Sequence, residues 1–292
     1  MKKSIAERGI LSPYDYKKPT VLAVYALLIL LVVIAALFTL YPYTVTILNS
    51  LKAREEVFVF PVQYWPHHLK WHNYAEAWKF LQLWHYLKNT IFIVAGNMAF
   101  SLVIIGLAAF SLAHLEVPKR RWFTMFFMLT LLIPPSTYII PNFLNLKSLG
   151  LLNTFWAFWL PSAANAFNLL LIRSFFGTIH KELFESARLD GASELRCFFR
   201  IAVPLSVPVL ITLLIFTFSS SWNDWFWPSL IMQKENMYPL ASAVYKYVIP
   251  SRSIDWNVKF AVLVLLLIPP VLFFVFFQKY IVRGMNLGAV KG

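Results

Sequence analysis

The sequence predicts an all-α membrane protein with six transmembrane helices. Hydrophobic residues make up 59% of its 292 residues and charged residues 13%, whereas a soluble domain has about 45–50% apolar and about 25% charged residues. Six segments are apolar over roughly the 20 residues that a helix needs to cross a hydrocarbon core of about 30 Å. Lys and Arg are concentrated on one side of these segments, which is typical of membrane proteins.

Each predicted span is an apolar run flanked by polar or charged residues. The clearest is the first, in which fourteen residues are Leu, Ile, Val or Phe, and these favour insertion by roughly 4–8 kcal/mol in total. The fourth and fifth are shorter, and we expect them to extend by about one turn. The six predicted spans are Val21–Leu40, Ile91–Ala113, Trp122–Ile140, Phe155–Ile172, Ile201–Phe218 and Phe260–Phe277.

Proline residues punctuate four of the spans. Each proline removes a backbone donor and is expected to bend its helix, which would leave room for a central cavity. Proline is also simply common in membrane helices. The prolines concerned are Pro134, Pro135, Pro161, Pro204, Pro208, Pro269 and Pro270.

The distribution of basic residues predicts that both termini are cytoplasmic. With the N-terminus inside, 16 of the 26 Lys and Arg residues fall on the cytoplasmic side, and Lys119, Arg120 and Arg121 occupy one very short loop. An excess of Lys and Arg marks cytoplasmic loops. The predicted cytoplasmic segments are 1–19, 114–121, 173–200 and 279–292.

Composition excludes several classes of protein. The net charge is +13, but the basic residues lie beside apolar segments, so lipid headgroups explain them better than nucleic acid does. The single cysteine, Cys197, rules out a disulfide framework or a multi-cysteine metal site. No Gly-x-x-x-x-Gly-Lys-Ser/Thr sequence occurs, so any ATPase must be another chain.

The predicted spans contain no Asp, Glu, Lys, Arg or His in their apolar cores. Ion-coupled transporters usually hold their driving ion with such residues or with broken helices. The polar residues that do occur are neutral, and they suit a pathway for a hydrated solute. Alternatively they form hydrogen bonds between helices, worth about 0.6 kcal/mol each. The candidate pathway residues are Asn97, Asn142, Asn165 and Asn168.

The cytoplasmic segment 178–204 is the most informative part of the chain. Ile179, Leu183 and Ala187 recur at helical spacing and form an apolar stripe, while the other faces are charged. The segment is therefore predicted to form two short helices that protrude into the cytoplasm. Periodicity alone would equally fit a helix lying on the membrane surface.

The two helices are predicted to meet at Gly191. Glycine takes the left-handed conformation after a helix C-terminus without steric cost, so the first helix should end there. Ser193 is placed to cap the second helix.

The same segment resembles the EAA signature of binding-protein-dependent ABC importer permeases. The matching residues are Glu185-Ser186-Ala187, Asp190-Gly191-Ala192, Ile201 and Pro204. Ser186 stands where the signature has alanine, Val203 where it has leucine, and His180 where sugar permeases usually have proline. The first two changes add no bulk that would block docking, and the last affects only the local helix start.

The resemblance covers almost the whole chain and is closest to the carbohydrate subgroup, in particular the maltose-type second permease. Each matching motif is weak alone, but their order and spacing are specific. They are Phe60-Pro61, Trp65-Pro66, Asn73-Tyr74, Ile133-Pro134, Ile140-Pro141, Trp222-Asn223-Asp224 and Gly288-Ala289-Val290-Lys291-Gly292.

The resemblance implies a type I ABC importer permease fold and a set of site residues. It implies that the EAA segment docks on an ATPase subunit, that a second motif lies near the outer gate, and that the C-terminal tail reaches toward the ATPase. The coupling residues would be Glu185, Ser186, Ala187, Asp190, Gly191 and Pro204, the outer-gate residues Trp222, Asn223 and Asp224, and the tail residue Lys291.

The resemblance also implies partners. These are two ATPase subunits that use ATP and Mg²⁺, a homologous second permease, an extracytoplasmic solute-binding protein and membrane lipid, with no cofactor bound by this chain. The cargo would be a neutral saccharide, an acidic one such as a polyuronate, or a glycerol phosphate. The chain divides into a cytoplasmic segment 1–20, a permease domain 21–282 containing the coupling loop 178–204, and a cytoplasmic tail 283–292.

Two other classes of protein remain as alternatives. A secondary transporter would need an ion site and usually has more spans. A membrane enzyme could use His67, His68, His72 and His85 as metal ligands, although their spacing fits no zincin pattern.

Overall fold

A computed structural model describes the backbone of residues 18–288 and the side chains of residues 18–279. Lys291, most of the predicted N-terminal segment and the last four residues of the predicted tail lie outside the described residues. Within the described residues all regular structure is helical. The first eight α-helices are α1 Pro19–Ser50, α2 His72–Phe80, α3 Leu83–Phe100, α4 Gly106–His114, α5 Arg120–Thr130, α6 Ile139–Ser148, α7 Trp156–Ser162 and α8 Ala166–Phe176.

The second half of the chain begins with the segment 178–204 and ends with a long helix. Its helices are α9 Lys181–Leu189, α10 Glu194–Cys197, α11 Val203–Leu205, α12 Val207–Asn223, α13 Phe226–Ile231, α14 Leu240–Ala243 and α15 Trp256–Gly288. Single π-helical stretches interrupt the α-helical pattern at Ser101–Ile105, Phe198–Ala202 and Val244–Val248.

Three of the predicted spans are long, apolar helices. The first is α1, which continues ten residues beyond the predicted end at Leu40. The second runs without a break from Leu83 to His114 through α3, a π-helical turn and α4. The third is α15, which contains Pro269 and Pro270 yet remains one helix. These two prolines therefore do not interrupt the helix.

Two further predicted spans are sharply bent pairs of helices. The chain turns by 98° between α5 and the segment Pro135–Ser148, and by 84° between Glu194–Leu205 and α12. The first bend coincides with Pro134 and Pro135, and the second lies between Pro204 and Pro208, where missing backbone donors weaken the helical ladder. By length and composition, the described chain has three membrane-crossing helices, or up to five if each bent pair counts as one.

The remaining predicted span, 155–172, is divided into α7 and α8. The helix stops after Ser162 and restarts at Ala166, where the Asn165 side chain accepts a hydrogen bond from the backbone N–H of Asn168 at 2.9 Å. An N-cap of this kind satisfies a donor that the new helix would leave unpaired. The first, second and sixth predicted segments thus correspond to continuous helices, and the third, fourth and fifth to interrupted ones.

The buried side chains form two clusters at opposite ends of the bundle. One contains residues from α4, α8, α9 and the π-helical stretch after α10. The other contains residues from α2, α3, α12 and the start of α15. The predicted cytoplasmic segments 114–121 and 173–200 therefore meet at the same end, whereas Arg54 and Asp255, joined at 3.2 Å, lie at the other.

Helices α3 and α7 pack closely at Gly96. A Cβ atom at that position would lie 1.9 Å from Nε1 of Trp159. Only a residue without a side chain leaves room for the indole ring, so this glycine is needed for the packing of the two helices.

Candidate coupling site

The segment 178–204 folds as two short helices joined by a tight turn. Helix α9 ends in a Schellman motif, in which the Ala192 N–H donates to the Ala187 carbonyl at 2.9 Å and the Gly191 N–H donates to the Arg188 carbonyl at 3.0 Å. Gly191 has φ +79°. The predicted left-handed glycine is confirmed, and it sets the angle at which the second helix leaves the turn.

The second helix begins at the predicted cap. The Ser193 hydroxyl accepts a hydrogen bond from the Arg196 backbone N–H at 3.3 Å. The turn is also closed by a bidentate ion pair, in which Arg188 Nε and Nη2 donate to the two carboxylate oxygens of Glu194 at 2.7 and 3.1 Å. The hydrogen bond to Glu194 raises the pKa of Arg188 above its ordinary value. This pair was missed in the sequence because its two residues lie in different helices.

Helix α9 is anchored to the bundle through Phe184. Its side chain is only 1% exposed, while that of Leu183 is 47% exposed. The predicted stripe was therefore wrong at Leu183, although Ile179 and Ala187 do pack against the cluster. The buried face is rotated by one residue because Phe184, the largest apolar side chain on the helix, occupies the inward position.

The ring of Phe184 packs between the ends of two spans. It lies 4.2 Å from the His114 ring at the end of α4 and 5.6 Å from the Phe110 ring one turn earlier. His114 Nε2 is 2.8 Å from the carbonyl oxygen of Phe176, the last residue of α8. As the carbonyl can only accept, His114 must donate. A movement of α9 would therefore act directly on the ends of α4 and α8.

The predicted coupling residues lie mainly on the outward side of this element. Glu185, Ser186, Asp190 and Gly191 are exposed, and Ala187 is partly buried against the bundle. Pro204 lies in α11, just after the π-helical stretch and at the 84° bend. It is therefore part of the hinge that follows the two helices and not part of their exposed surface.

The outward surface also carries exposed leucines that the sequence analysis did not single out. Leu189 is 89% exposed and Leu195 is 60% exposed. They flank the Gly191 turn next to Glu185 and Asp190.

A cavity of about 520 Å³ lies beside the contact between Phe184 and His114 and is bounded by α9 and by residues 113–120. Its charged lining alternates in sign, so it does not favour an anion or a cation. Phe184 and Glu185 of α9 line one side of the cavity. His114 at the end of α4, Glu116 in the loop and Arg120 at the start of α5 line the other.

The four candidate pathway asparagines are not brought together. Asn97 is buried and donates to the Ser221 hydroxyl at 2.8 Å, which joins α3 to α12. Asn165 caps α8, and the buried Asn168 donates its backbone N–H to that cap. Asn142, in α6, is partly buried. The contact of Asn97 is a hydrogen bond between helices, as in the alternative interpretation, whereas Asn165 caps its own helix.

The outer-gate residues lie at the other end of the bundle. Trp222 is buried, and its ring stacks on Phe218 with centroids 5.5 Å apart. Asn223 donates to the Ser219 carbonyl at 2.8 Å, and the Asp224 carboxylate accepts from the Trp227 backbone N–H at 3.0 Å. These residues end α12 and precede α13, so they hold the connection between the two helices.

Two basic residues at the same end donate hydrogen bonds to other groups of the protein. Lys52 is buried and donates to the Asn49 side chain at 2.8 Å and to the Gln63 carbonyl; burial lowers its pKa. Lys246 donates to the Tyr238 hydroxyl at 2.6 Å. Among the described residues, no group of three or more His, Cys, Asp or Glu side chains could hold a metal ion.

Comparisons with known proteins agree with this architecture. Residues 102–287 match the family described as "Binding-protein-dependent transport system inner membrane component". The chain is 32% identical over 256 residues to the "Probable ABC transporter permease protein YurM" of Bacillus subtilis (strain 168), covering 86% of this chain and 84% of that protein.

A second relative from Bacillus subtilis (strain 168) is the "Polygalacturonan/rhamnogalacturonan transport system permease protein YtcP". It is 33% identical over 217 residues, which cover 70% of this chain and 75% of the relative. Among solved structures, a bacterial ABC transporter involved in the import of the acidic polysaccharide alginate contains a similar chain. The TM-score is 0.81 with 26% identity, covering 94% of this chain and 100% of that one.

Proposed function

This chain belongs to the family of binding-protein-dependent transport system inner membrane components, and from that membership we propose how it couples ATP hydrolysis to import. It is a permease with the type I ABC importer fold. We infer that it contains no catalytic site and that hydrolysis takes place in two separate ATPase subunits. Any ATP and Mg²⁺ would be bound there, since this sequence has no phosphate-binding loop of its own.

The anchored helix α9 is the observation that carries this proposal. Its outward side offers Glu185, Asp190 and two exposed leucines to a partner, and its inward side is held by Phe184 against the ends of α4 and α8. Such an element can pass a displacement from a docked ATPase to the spans. A helix lying on a membrane surface would instead direct its apolar face into lipid.

The bends in the spans support an alternating-access mechanism. When the two ATPase subunits close on ATP, the paired coupling helices would move together. The chain can flex at the 84° bend next to Pro204 and at the 98° bend between α5 and α6, because these points lack part of the helical ladder. The expected central cavity between the spans would then open toward a loaded solute-binding protein.

The assembly would contain two ATPase subunits, a homologous second permease and the external solute-binding protein. From the excess of Lys and Arg on one side we infer that both termini and α9 are cytoplasmic and that the chain lies in the cytoplasmic membrane. The joining of segments 114–121 and 173–200 at one end of the bundle supports this orientation.

The proposed cargo is a saccharide. YtcP is described as a polygalacturonan/rhamnogalacturonan permease, and the similar solved structure belongs to an alginate importer. From these two names we infer that the cargo is an acidic saccharide. Basic residues in the outer segments could contribute, but Lys52 and Lys246 are already bonded within the protein. Arg252 is an exposed basic residue of the same outer segments.

Reconstitution tests the function and the cargo together. The chain is co-expressed with the ATPase, second permease and binding protein encoded by neighbouring genes, and the complex is placed in liposomes. We expect ATP hydrolysis to rise when the binding protein is loaded with oligogalacturonate or oligoalginate, and to rise less with maltooligosaccharide or glycerol 3-phosphate. Uptake by the purified chain alone, driven by a proton or sodium gradient, would contradict the proposal and favour a secondary transporter.

A further inference from the structure

A basic groove lies between α5 and α8 at the end of the molecule that carries α9. Its volume is about 510 Å³, and it is lined by Arg120, Arg121, Thr124, Met125, Met128 and Arg173. We propose that this groove binds an anionic phospholipid, with the arginines on the lipid phosphate and the methionines beside its acyl chains.

The arginines are positioned by the protein but not neutralised by it. Arg120 Nη1 donates to the Ala113 carbonyl at 3.4 Å and Arg173 Nε donates to the Leu112 carbonyl at 3.5 Å. These carbonyls belong to the last turn of α4, where the helix dipole favours cations. Both contacts are long, so most donors of each guanidinium remain available to another acceptor.

Within the part of the chain whose side chains are described, no carboxylate forms an ion pair with these arginines. Neither Arg120, Arg121 nor Arg173 has an Asp or Glu oxygen within 4 Å there. Arg120 and Arg173 are close enough for their charges to repel each other. A bound phosphate would relieve that repulsion, and guanidinium groups match the oxygens of a phosphate well.

The shape of the groove favours a lipid over a free ion. Met125 lies one helical turn beyond Arg121, and Met128 lies two turns beyond it, so the lining changes from charged to apolar along the axis of α5. Met125 is 50% exposed and Met128 is 57% exposed. A phospholipid has this same order of charged headgroup and apolar chain, and basic pockets between spans on the cytoplasmic side suit anionic headgroups.

Native mass spectrometry of the full-length chain in detergent tests the site. The probes are phosphatidylglycerol, phosphatidylcholine and inorganic phosphate. We expect the Arg120→Gln/Arg173→Gln double variant to bind phosphatidylglycerol at least about tenfold more weakly than the unaltered chain, since each cation near a headgroup contributes several-fold. Arg200→Gln is the matched control, because Arg200 is an exposed arginine near the same end that does not line the groove.

A second variant protects the test from misfolding. Thr124→Glu leaves both arginines in place and adds a competing carboxylate to the groove, and it should also weaken phosphatidylglycerol binding. Each variant must retain the helical circular dichroism and elution volume of the unaltered chain. Unchanged phosphatidylglycerol binding in folded double and Thr124→Glu variants would overturn the proposal. So would equal binding of phosphatidylcholine, or displacement of the lipid by inorganic phosphate at millimolar concentration.

Discussion

The ring of Phe184 lies against the ring of His114, with centroids 4.2 Å apart. This contact joins the middle of α9 to the end of the second predicted span. Because His114 also donates to the carbonyl of Phe176, one side chain connects the coupling helix to two spans. In the proposed mechanism, a displacement of α9 would reach the spans through this contact.

We expect Phe184→Ala to destabilise the chain and to weaken coupling. Truncating a buried phenylalanine costs about 3–5 kcal/mol, so thermal unfolding in detergent, followed by tryptophan fluorescence, should shift to lower temperature. In the reconstituted complex, ATP hydrolysis should no longer respond fully to the loaded binding protein.

Leu183→Ala is the control for this change. Leu183 lies next to Phe184 on the same helix but is largely exposed, and substitutions of exposed side chains usually change stability by no more than about 0.5 kcal/mol. Equal unfolding temperatures for the two variants would show that Phe184 does not anchor α9.

Replacing Glu185 by lysine should abolish substrate-stimulated ATP hydrolysis. Its carboxylate is exposed on the proposed docking surface, and reversing its charge would place a cation where the partner meets an anion. Burial is unchanged, so membrane insertion and the unfolding temperature should stay close to those of the unaltered chain. Glu182→Lys makes the same charge change three residues earlier, outside the signature. Full stimulation in the Glu185→Lys complex would remove Glu185 from the coupling surface.

Gly191→Val should also uncouple the complex. Gly191 has φ +79°, and a Cβ atom there would meet no other atom within 4 Å. The cost therefore comes from the backbone and not from a clash, because a β-branched residue resists positive φ. Gly191→Asn is the matched variant, since asparagine tolerates the left-handed conformation. We expect uptake to be lost in the first variant and largely kept in the second; normal uptake with valine would contradict the role of the turn.

The sequence was most informative where one residue type determines the local geometry. Gly191 and Ser193 predicted the turn and the cap of the second helix, and both contacts are present. Proline was less informative, because Pro134 and Pro135 accompany a 98° bend while Pro269 and Pro270 lie within a continuous helix. Neighbouring helices can stabilise a proline-containing span, and a single sequence does not reveal those neighbours.

Contacts between distant segments were beyond the reach of periodicity. Ile179, Leu183 and Ala187 fit a helical stripe, yet the inward position belongs to Phe184 because His114 and Phe110 form its pocket. In the same way, the sequence does not predict the hydrogen bond that Asn97 donates to Ser221, 124 positions away in the chain. The sequence supplies the apolar faces, and packing decides which residue of a face points inward.

Asp224→Asn should flatten the dependence of stability on pH. Burial is the largest influence on the Asp224 carboxyl and raises its pKa above the ordinary 3.8, although hydrogen bonds from the Trp227 and Phe226 backbone N–H groups act in the opposite direction. The folded chain therefore holds a proton at pH values where the unfolded chain has lost it. By linkage, the free energy of unfolding falls as the pH rises from about 4 to the raised pKa, and the loss is complete above it.

Asparagine caps a helix as well as aspartate does, so the variant should keep the fold, lose this slope and be at least as stable at neutral pH. Unfolding temperatures measured between pH 4 and 8 check this, with Asp190→Asn as an exposed control; a variant that keeps the slope of the unaltered chain would show that another group produces it.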